Sequence, residues 1–228
     1  SNVGCEVNIA SALSDQGNFV NAKKVLERAI TTLDKFYGEN STHVAKVFNN
    51  YAIALKNNGE LEESAKFYNR ALEIYEAING CGSEIAKIYS NLSLVLAKQG
   101  NLEKALKVCQ RSLDLKLDDE RIGPNDISTA ITYNNQGTIF RLMGNHNESL
   151  KCHQLALRIK EMDSEKNALS IAQSCIDIAS IFDVKSQIKA AVLYAQKAFS
   201  IRKQILGSED YLVMHTERQI RCLQQKSN

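Results

Sequence analysis

One side-chain type recurs along this chain at a spacing that binding chemistry could use. Asn8, Asn50, Asn91 and Asn135, with Asp177 as a fifth member, follow one another at intervals of about 42 residues. A carboxamide carries both a donor and an acceptor, which is what the backbone of an extended peptide asks of a surface that holds it. Asn49 and Asn134 adjoin the series, and cations flank it. Lys46 and Lys87 stand one helical turn before it, and Lys56, Lys98 and Arg141 stand one to two turns after it. Asp15 lies toward one end and Asp177 and Asp183 toward the other, so the middle is basic. Such a pattern favours a protein or peptide partner with acidic residues or a carboxylate, held by charge-assisted hydrogen bonds. The blander alternative is that the amides stitch neighbouring helices together and the charges are ordinary solvated ones.

Catalysis has little to build on. His43, His146, His153 and His215 are scattered, with no H-E-x-x-H and no cysteine spacing suited to zinc. No catalytic residue, metal or cofactor is expected, and the chain is read as a non-enzyme. Cys152 and His153 are adjacent and so point to different helix faces; His153 falls in a core slot, as a satisfied core residue. The net charge of +2 supplies no overall field for nucleic acid or acidic lipid. Tyr51, Tyr68 and Tyr75 fall on apolar stripes, as core packing rather than platforms for bases.

The cysteines, Cys5, Cys81, Cys109, Cys152, Cys175 and Cys222, include no C-x-x-C pair. Most lie in helical segments, where a free thiol packs as a small apolar group, so a reducing, cytoplasmic setting is expected. The sequons at Asn40, Asn91 and Asn147 are then coincidental. No run is apolar enough to suggest a membrane span; even the stretch 171–184 is broken by Gln173, Asp177 and Asp183. The opening Ser1-Asn2, with a helix starting almost at once, suggests a piece cut from something longer.

The elements that must position the asparagines are helical hairpins. In the stretch 43–78, Phe48, Tyr51, Ala52 and Leu55 make one stripe at helical period. Leu61, Ala65, Tyr68, Ala71, Leu72 and Tyr75 make another, across a turn at Gly59, a residue suited to the left-handed conformation after a helix end. Aligned on that turn, Gly17-Asn18-Phe19, Gly59-Glu60-Leu61, Gly100-Asn101-Leu102 and Gly144-Asn145-His146 recur, with Ser186-Gln187-Ile188 as a glycine-free version. One hairpin cannot bury both faces, so the copies must stack. The expected repeats cover 3–37, 43–79, 83–117, 126–163 and 168–206, with a capping helix over 208–225, all in one domain. Ser41 or Thr42, Ser83, and Asn125 or Asp126 are candidate helix caps. Repeat four is the least ideal copy, because Gln136 stands at an apolar position.

These residues resemble the tetratricopeptide repeat family over essentially the whole chain. Its small–glycine–small–alanine pattern is met by Ala52, Gly59, Ser64 and Ala71, and by Ala10, Gly17, Ala22 and Ala29. The later copies match as Ser93, Gly100, Ala105 and Ser112; Gly137, Gly144, Ser149 and Ala156; and Ala179, Ser186, Ala191 and Ala198. The long period and the wording of ALEIYEAING and IGPNDISTAITYNNQG resemble kinesin light chain repeats, although Asp126-Ile127 replaces that family's usual histidine–proline step. The resemblance implies an all-α, right-handed superhelical solenoid that acts as a scaffold or adaptor. Its first helices line a concave groove for an extended peptide, in the manner of cargo recognition. Alternatives are a targeting module of a larger enzyme, a self-association scaffold, and a chaperone-tail receptor, which Lys46 and Asn50 match only in part.

Overall fold

The computed structural model describes residues 5–6, 9–10, 12–13, 16–37, 41–78 and 82–226. Among them every regular element is helical: α1 (Phe19–Tyr37), α2 (Thr42–Asn57), α3 (Leu61–Ala77), α4 (Gly82–Lys98) and α5 (Leu102–Asp118), then α6 (Ile127–Leu142), α7 (His146–Glu161), α8 (Ser164–Val184), α9 (Ile188–Leu206) and α10 (Tyr211–Gln225). The chain divides into two compact units, Ser1–Asp119 and Glu120–Asn228. In each, successive helices pair as antiparallel hairpins, α2 with α3 and α4 with α5 in the first, α6 with α7 and α8 with α9 in the second.

The same local device makes the turn inside each hairpin. Gly17, Gly59, Gly100 and Gly144 have φ between 75° and 86°, and the glycine-free copy adopts the same left-handed backbone, Ser186 at φ 57°. The next residue then closes a bond back to the carbonyl of the first helix: Asn18 to Leu13, Glu60 to Leu55, Asn101 to Leu96, Asn145 to Phe140 and Gln187 to Phe182, all 2.8–2.9 Å. That residue's own carbonyl accepts the first bond of the second helix, as from Ser64 to Glu60 and from Ser149 to Asn145.

Close approach of the paired helices follows from small side chains. Ala52, Ser64 and Ala71 are fully buried, as are Ser93, Ala105 and Ser112. A serine in the second helix satisfies its hydroxyl on the first: Ser64 donates to the Ala52 carbonyl and Ser149 to that of Gly137, each at 2.7 Å. Larger residues fill the space beside them. Tyr68 is fully buried, and Tyr51 packs edge-on against Phe67 with its hydroxyl donating to Glu27 at 2.8 Å.

The helix ends mostly follow the sequence. Ser41 caps α2 by accepting from the Val44 N–H, and Asp126 caps α6 by accepting from that of Ser128. Two expectations are corrected. Helix α4 begins at Gly82, so Ser83 is a first-turn residue and not a cap, and α8 begins at Ser164 rather than near Ala168. The apolar stripe does not reach back over Glu165, Lys166 and Asn167, and it was the stripe that set the expected start. In the first unit one continuous core runs from Ala10 to Val95; in the second the apolar residues fall into separate clusters.

The turn geometry sets an expectation for stability. Gly100→Ala should lower unfolding free energy by about 1 kcal/mol, while Ser186→Gly should raise it by up to about 1 kcal/mol, both read from urea unfolding. No change at either position would show that the left-handed residue is dispensable.

Candidate peptide-binding surface

The first unit carries its share of the series on α2 and α4. Lys46 and Asn50 lie one turn apart on α2, and Lys87, Asn91 and Lys98 follow one line on α4 at offsets of i+4 and i+7. Asn50 and Asn91 are half-buried, while Lys46, Lys87 and Lys98 are exposed. Asn49 donates to the Asn50 side-chain oxygen at 3.4 Å, and its own oxygen is buried without a partner. Lys87 pairs with Glu84 one turn earlier, at 2.9 Å. Lys56 sits on the flank of α2, half-buried, and its pKa is lowered first by burial and then by the charge of Lys98. Asn8 lies outside the described residues.

The second unit treats the equivalent positions differently. Asn135 is 8% exposed, whereas Arg141 is open to solvent. Asn134 faces inward: its oxygen is 3.2 Å from His153 Nδ1 and its amide donates to Ser174 Oγ at 3.4 Å. Lys160, 1% exposed, donates to the same Ser174 hydroxyl at 2.7 Å. Asp177 accepts from Gln173 at 3.1 Å; Gln173 accepts from buried Arg202 at 2.8 Å, and Arg202 donates also to Thr216 at 2.7 Å. Burial works against the charges of Lys160 and Arg202, and Asp177 is the carboxylate that favours both. Asp177 is therefore a counter-charge as well as a member of the series.

Sequence patterning missed this network. Counted from the turn, one slot of the second helix is Leu33, Tyr75, Lys116, Lys160 and Arg202, all buried. Aligning the copies would have found it, because a cation occupies a core position in each of the last three. His153 was legible as core but is only half satisfied. Its Nε2 is buried without a partner, packed where a side chain on Gly137 would stand: a Cβ there would meet the ring at 2.8 Å. Glycine in α6 and an imidazole pressed against it from α7 thus replace the alanine–tyrosine pairing of Ala52 and Tyr68. Gln136 is buried, and its side-chain oxygen receives a weak bond from Cys152. Burial pushes the Cys152 and Cys175 thiols up to about 11, so both pack as protonated, unreactive groups. Cys5 and Cys222 are exposed, and Cys109 is buried. Among the described residues no group of histidine, cysteine and carboxylate side chains could hold a metal, and no helix is long and apolar enough to cross a membrane.

Turn-linked hairpins with small residues at fixed offsets define a helical-repeat scaffold. The tetratricopeptide repeat model matches residues 6–77, 84–162 and 128–204, and the chain belongs to that family, whose members are protein-interaction scaffolds. No match is found among curated protein sequences. Among solved structures, the chain is similar to BtubC (BKLC) from P. vanneervenii, at 20% identity and a TM-score of 0.74, over 88% of this chain and 80% of that one. It is also similar to the nearly identical TPR-like repeats of a kinesin light chain-type protein from Podosopora anserina, at 13% identity and a TM-score of 0.72, over 89% and 95%. A STAND protein with a tetratricopeptide repeat sensor, from Pyrococcus horikoshii, matches 97% of this chain with 31% of its own, at 19% identity and a TM-score of 0.73. At these identities the likeness is one of fold.

Two outcomes follow for the second unit. Gly137→Ala should destabilise it by about 1–3 kcal/mol through the clash with His153, and by much less when His153→Ala is also present, as a double-mutant cycle in urea would read. The pKa of His153 is lowered from its ordinary 6.5, first by burial and then by Lys160 and Arg141, with Asp177 opposing. Below that ordinary value the unfolded chain takes up the proton more readily than the folded one. Stability should therefore fall as pH drops through the ordinary histidine value and below it, and His153→Gln should flatten that part of the profile.

Proposed function

We propose that α2 and α4 present a peptide-receiving face, and that the chain acts as an adaptor holding an extended, acidic segment of a partner protein. The observation that carries this reading is the alignment of Asn50 and Asn91, both half-exposed, with Lys46, Lys87 and Lys98 on the same helix faces. The amides meet peptide N–H and C=O groups without asking for a particular side chain, and the ammonium groups select for carboxylates. Among the described residues Lys46 and Lys98 form no ion pair, and Lys56 lies close enough to Lys98 to feel its charge. Asn8 belongs to the same proposed series, and in the second unit Asn135 and Arg141 hold its equivalent positions, with Asn134 and Asp177 partly buried beside them in bonds to Ser174 and Gln173.

The likeness to kinesin light chain-type repeats supports a cargo-adaptor role, and the setting proposed is cytoplasmic. The repeat sensor of the STAND protein supports a second reading, in which the chain is the ligand-sensing module of a larger protein. Both readings use the same face.

Peptides selected on the full chain from a random library should be enriched in Asp and Glu. Combined Asn50→Ala and Asn91→Ala should weaken a selected peptide about tenfold, at about 1 kcal/mol or somewhat less per lost amide. Lys46→Glu with Lys87→Glu should weaken it at low salt and much less at high salt. Unchanged affinity at low salt would remove the charge half of the proposal.

A further inference from the structure

Counted from the turn glycine, two positions of the second helix carry the same cations in every copy of the first unit. Seven residues on stand Lys24, Lys66 and Lys107; eleven residues on stand Arg28, Arg70 and Arg111. All six are exposed, on the side of α1, α3 and α5 turned away from buried Leu26, Tyr68 and Cys109. Helix α3 packs on both α2 and α4, α1 on α2 and α5 on α4, while α2 and α4 touch each other. Helices α1, α3 and α5 therefore follow one another behind that pair, and the two columns of cations cross them as a belt about 6 Å wide, the rise of four helical residues. In the second unit the same positions read Lys151 and Leu155, then Leu193 and Lys197, so the belt belongs to the first unit alone.

The guanidinium groups are seated on rings rather than paired with acids. Arg70 lies 4.8 Å from the centre of the Phe48 ring and Arg111 5.6 Å from that of Tyr89, which fixes each head while its N–H edge stays free to donate. Among the described residues no carboxylate forms an ion pair with Arg28, Arg70 or Arg111. Lys66 pairs with Glu63 at 2.6 Å, an exposed contact that solvent weakens. Acidic rows border the belt: Glu62 and Glu103 four residues before the lysines, and Glu73 and Asp114 three residues after the arginines, all exposed. These rows stand about 16 Å apart along the helix, the rise of eleven residues. A bilayer surface or a nucleic-acid duplex laid over the belt would cover the acids as well, and facing like charges oppose binding. A single nucleic-acid strand fits the width but asks for aromatic platforms, and among the described residues of the first unit no aromatic side chain is exposed. A polypeptide rich in Asp and Glu fits the width and needs only donors for its carboxylates, which the arginine forks supply two at a time.

We infer that this belt is a second docking surface of the first unit, for an acidic polypeptide segment laid across α1, α3 and α5. It is separate from the α2 and α4 face and uses no amide of the asparagine series. It reads the carboxylates of the segment, where amides would read its main chain. Nothing in it depends on Asn50 or Asn91, so its failure and the failure of the peptide reading above are told apart.

A charge-matched comparison on the full chain tests it, with a fluorescein-labelled oligoglutamate as the probe and anisotropy at low salt as the readout. Arg28→Gln with Arg70→Gln and Arg111→Gln should weaken binding about tenfold. Arg158→Gln with Lys189→Gln and Arg218→Gln removes the same charge from exposed positions of the second unit and should weaken it less than about twofold. Lys24→Gln with Lys66→Gln and Lys107→Gln leaves the ring contacts in place, should weaken binding several-fold, and decides the matter if circular dichroism shows the arginine variant unfolded. Equal losses in the belt and control variants, or no loss in either, overturn the belt. An oligothymidylate of equal charge and phosphatidylserine vesicles should bind more weakly than the oligoglutamate. Binding of either through the belt as tightly as the oligoglutamate overturns a polypeptide as the occupant.

Discussion

Everything in this chain depends on one left-handed residue per hairpin. At Gly17, Gly59, Gly100, Gly144 and Ser186 the backbone turns into a conformation that lets the following N–H reach the end of the preceding helix. The second helix then starts at a fixed distance and rotation from the first. Register is what makes the copies comparable. A given offset from the turn always means the same place, so Ala52 and Gly137 both receive a serine hydroxyl from the partner helix, and Tyr68 and His153 both fill the gap beside it.

Within that shared register the two units are stabilised differently. The first has one continuous apolar core, and the slot near the end of the second helix holds Leu33 and Tyr75 before Lys116 brings the first buried cation into it. In the second unit Lys160 and Arg202 take that slot and tie neighbouring helices together through Ser174, Thr216 and Gln173. Hydrogen bonds of this kind are directional and strong where water is excluded, but they offset the cost of burying charge only when each member is satisfied. Asp177 matters for that reason. Where the other copies have an asparagine, the last has a carboxylate whose charge favours both buried cations.

The fold was legible because its signals are local. A turn glycine, small residues at two offsets and apolar stripes are visible without coordinates, and the Ser186 turn shows that position can stand in for residue type. The structure picks Ser41 over Thr42 and Asp126 over Asn125 as caps, but not Ser83, where helix extends a residue further back. The buried network was illegible for a physical reason: Lys and Arg score as solvent-facing, yet their long stems pack along apolar surface and their heads reach hydroxyls. The inward turn of Asn134 was hidden in the same way. Its partners, His153 and Ser174, lie on different helices, and nothing local announces them.

The central claim is that the amides of the first unit engage a peptide's main chain. Amide-to-ester substitution tests it, because an ester removes one backbone N–H donor and leaves every side chain in place. A peptide selected on the full chain, scanned with single esters, should show isolated positions where affinity falls several-fold, and those losses should vanish when Asn50 and Asn91 are alanine. Ester peptides that bind the unaltered protein as tightly as the parent would contradict the claim.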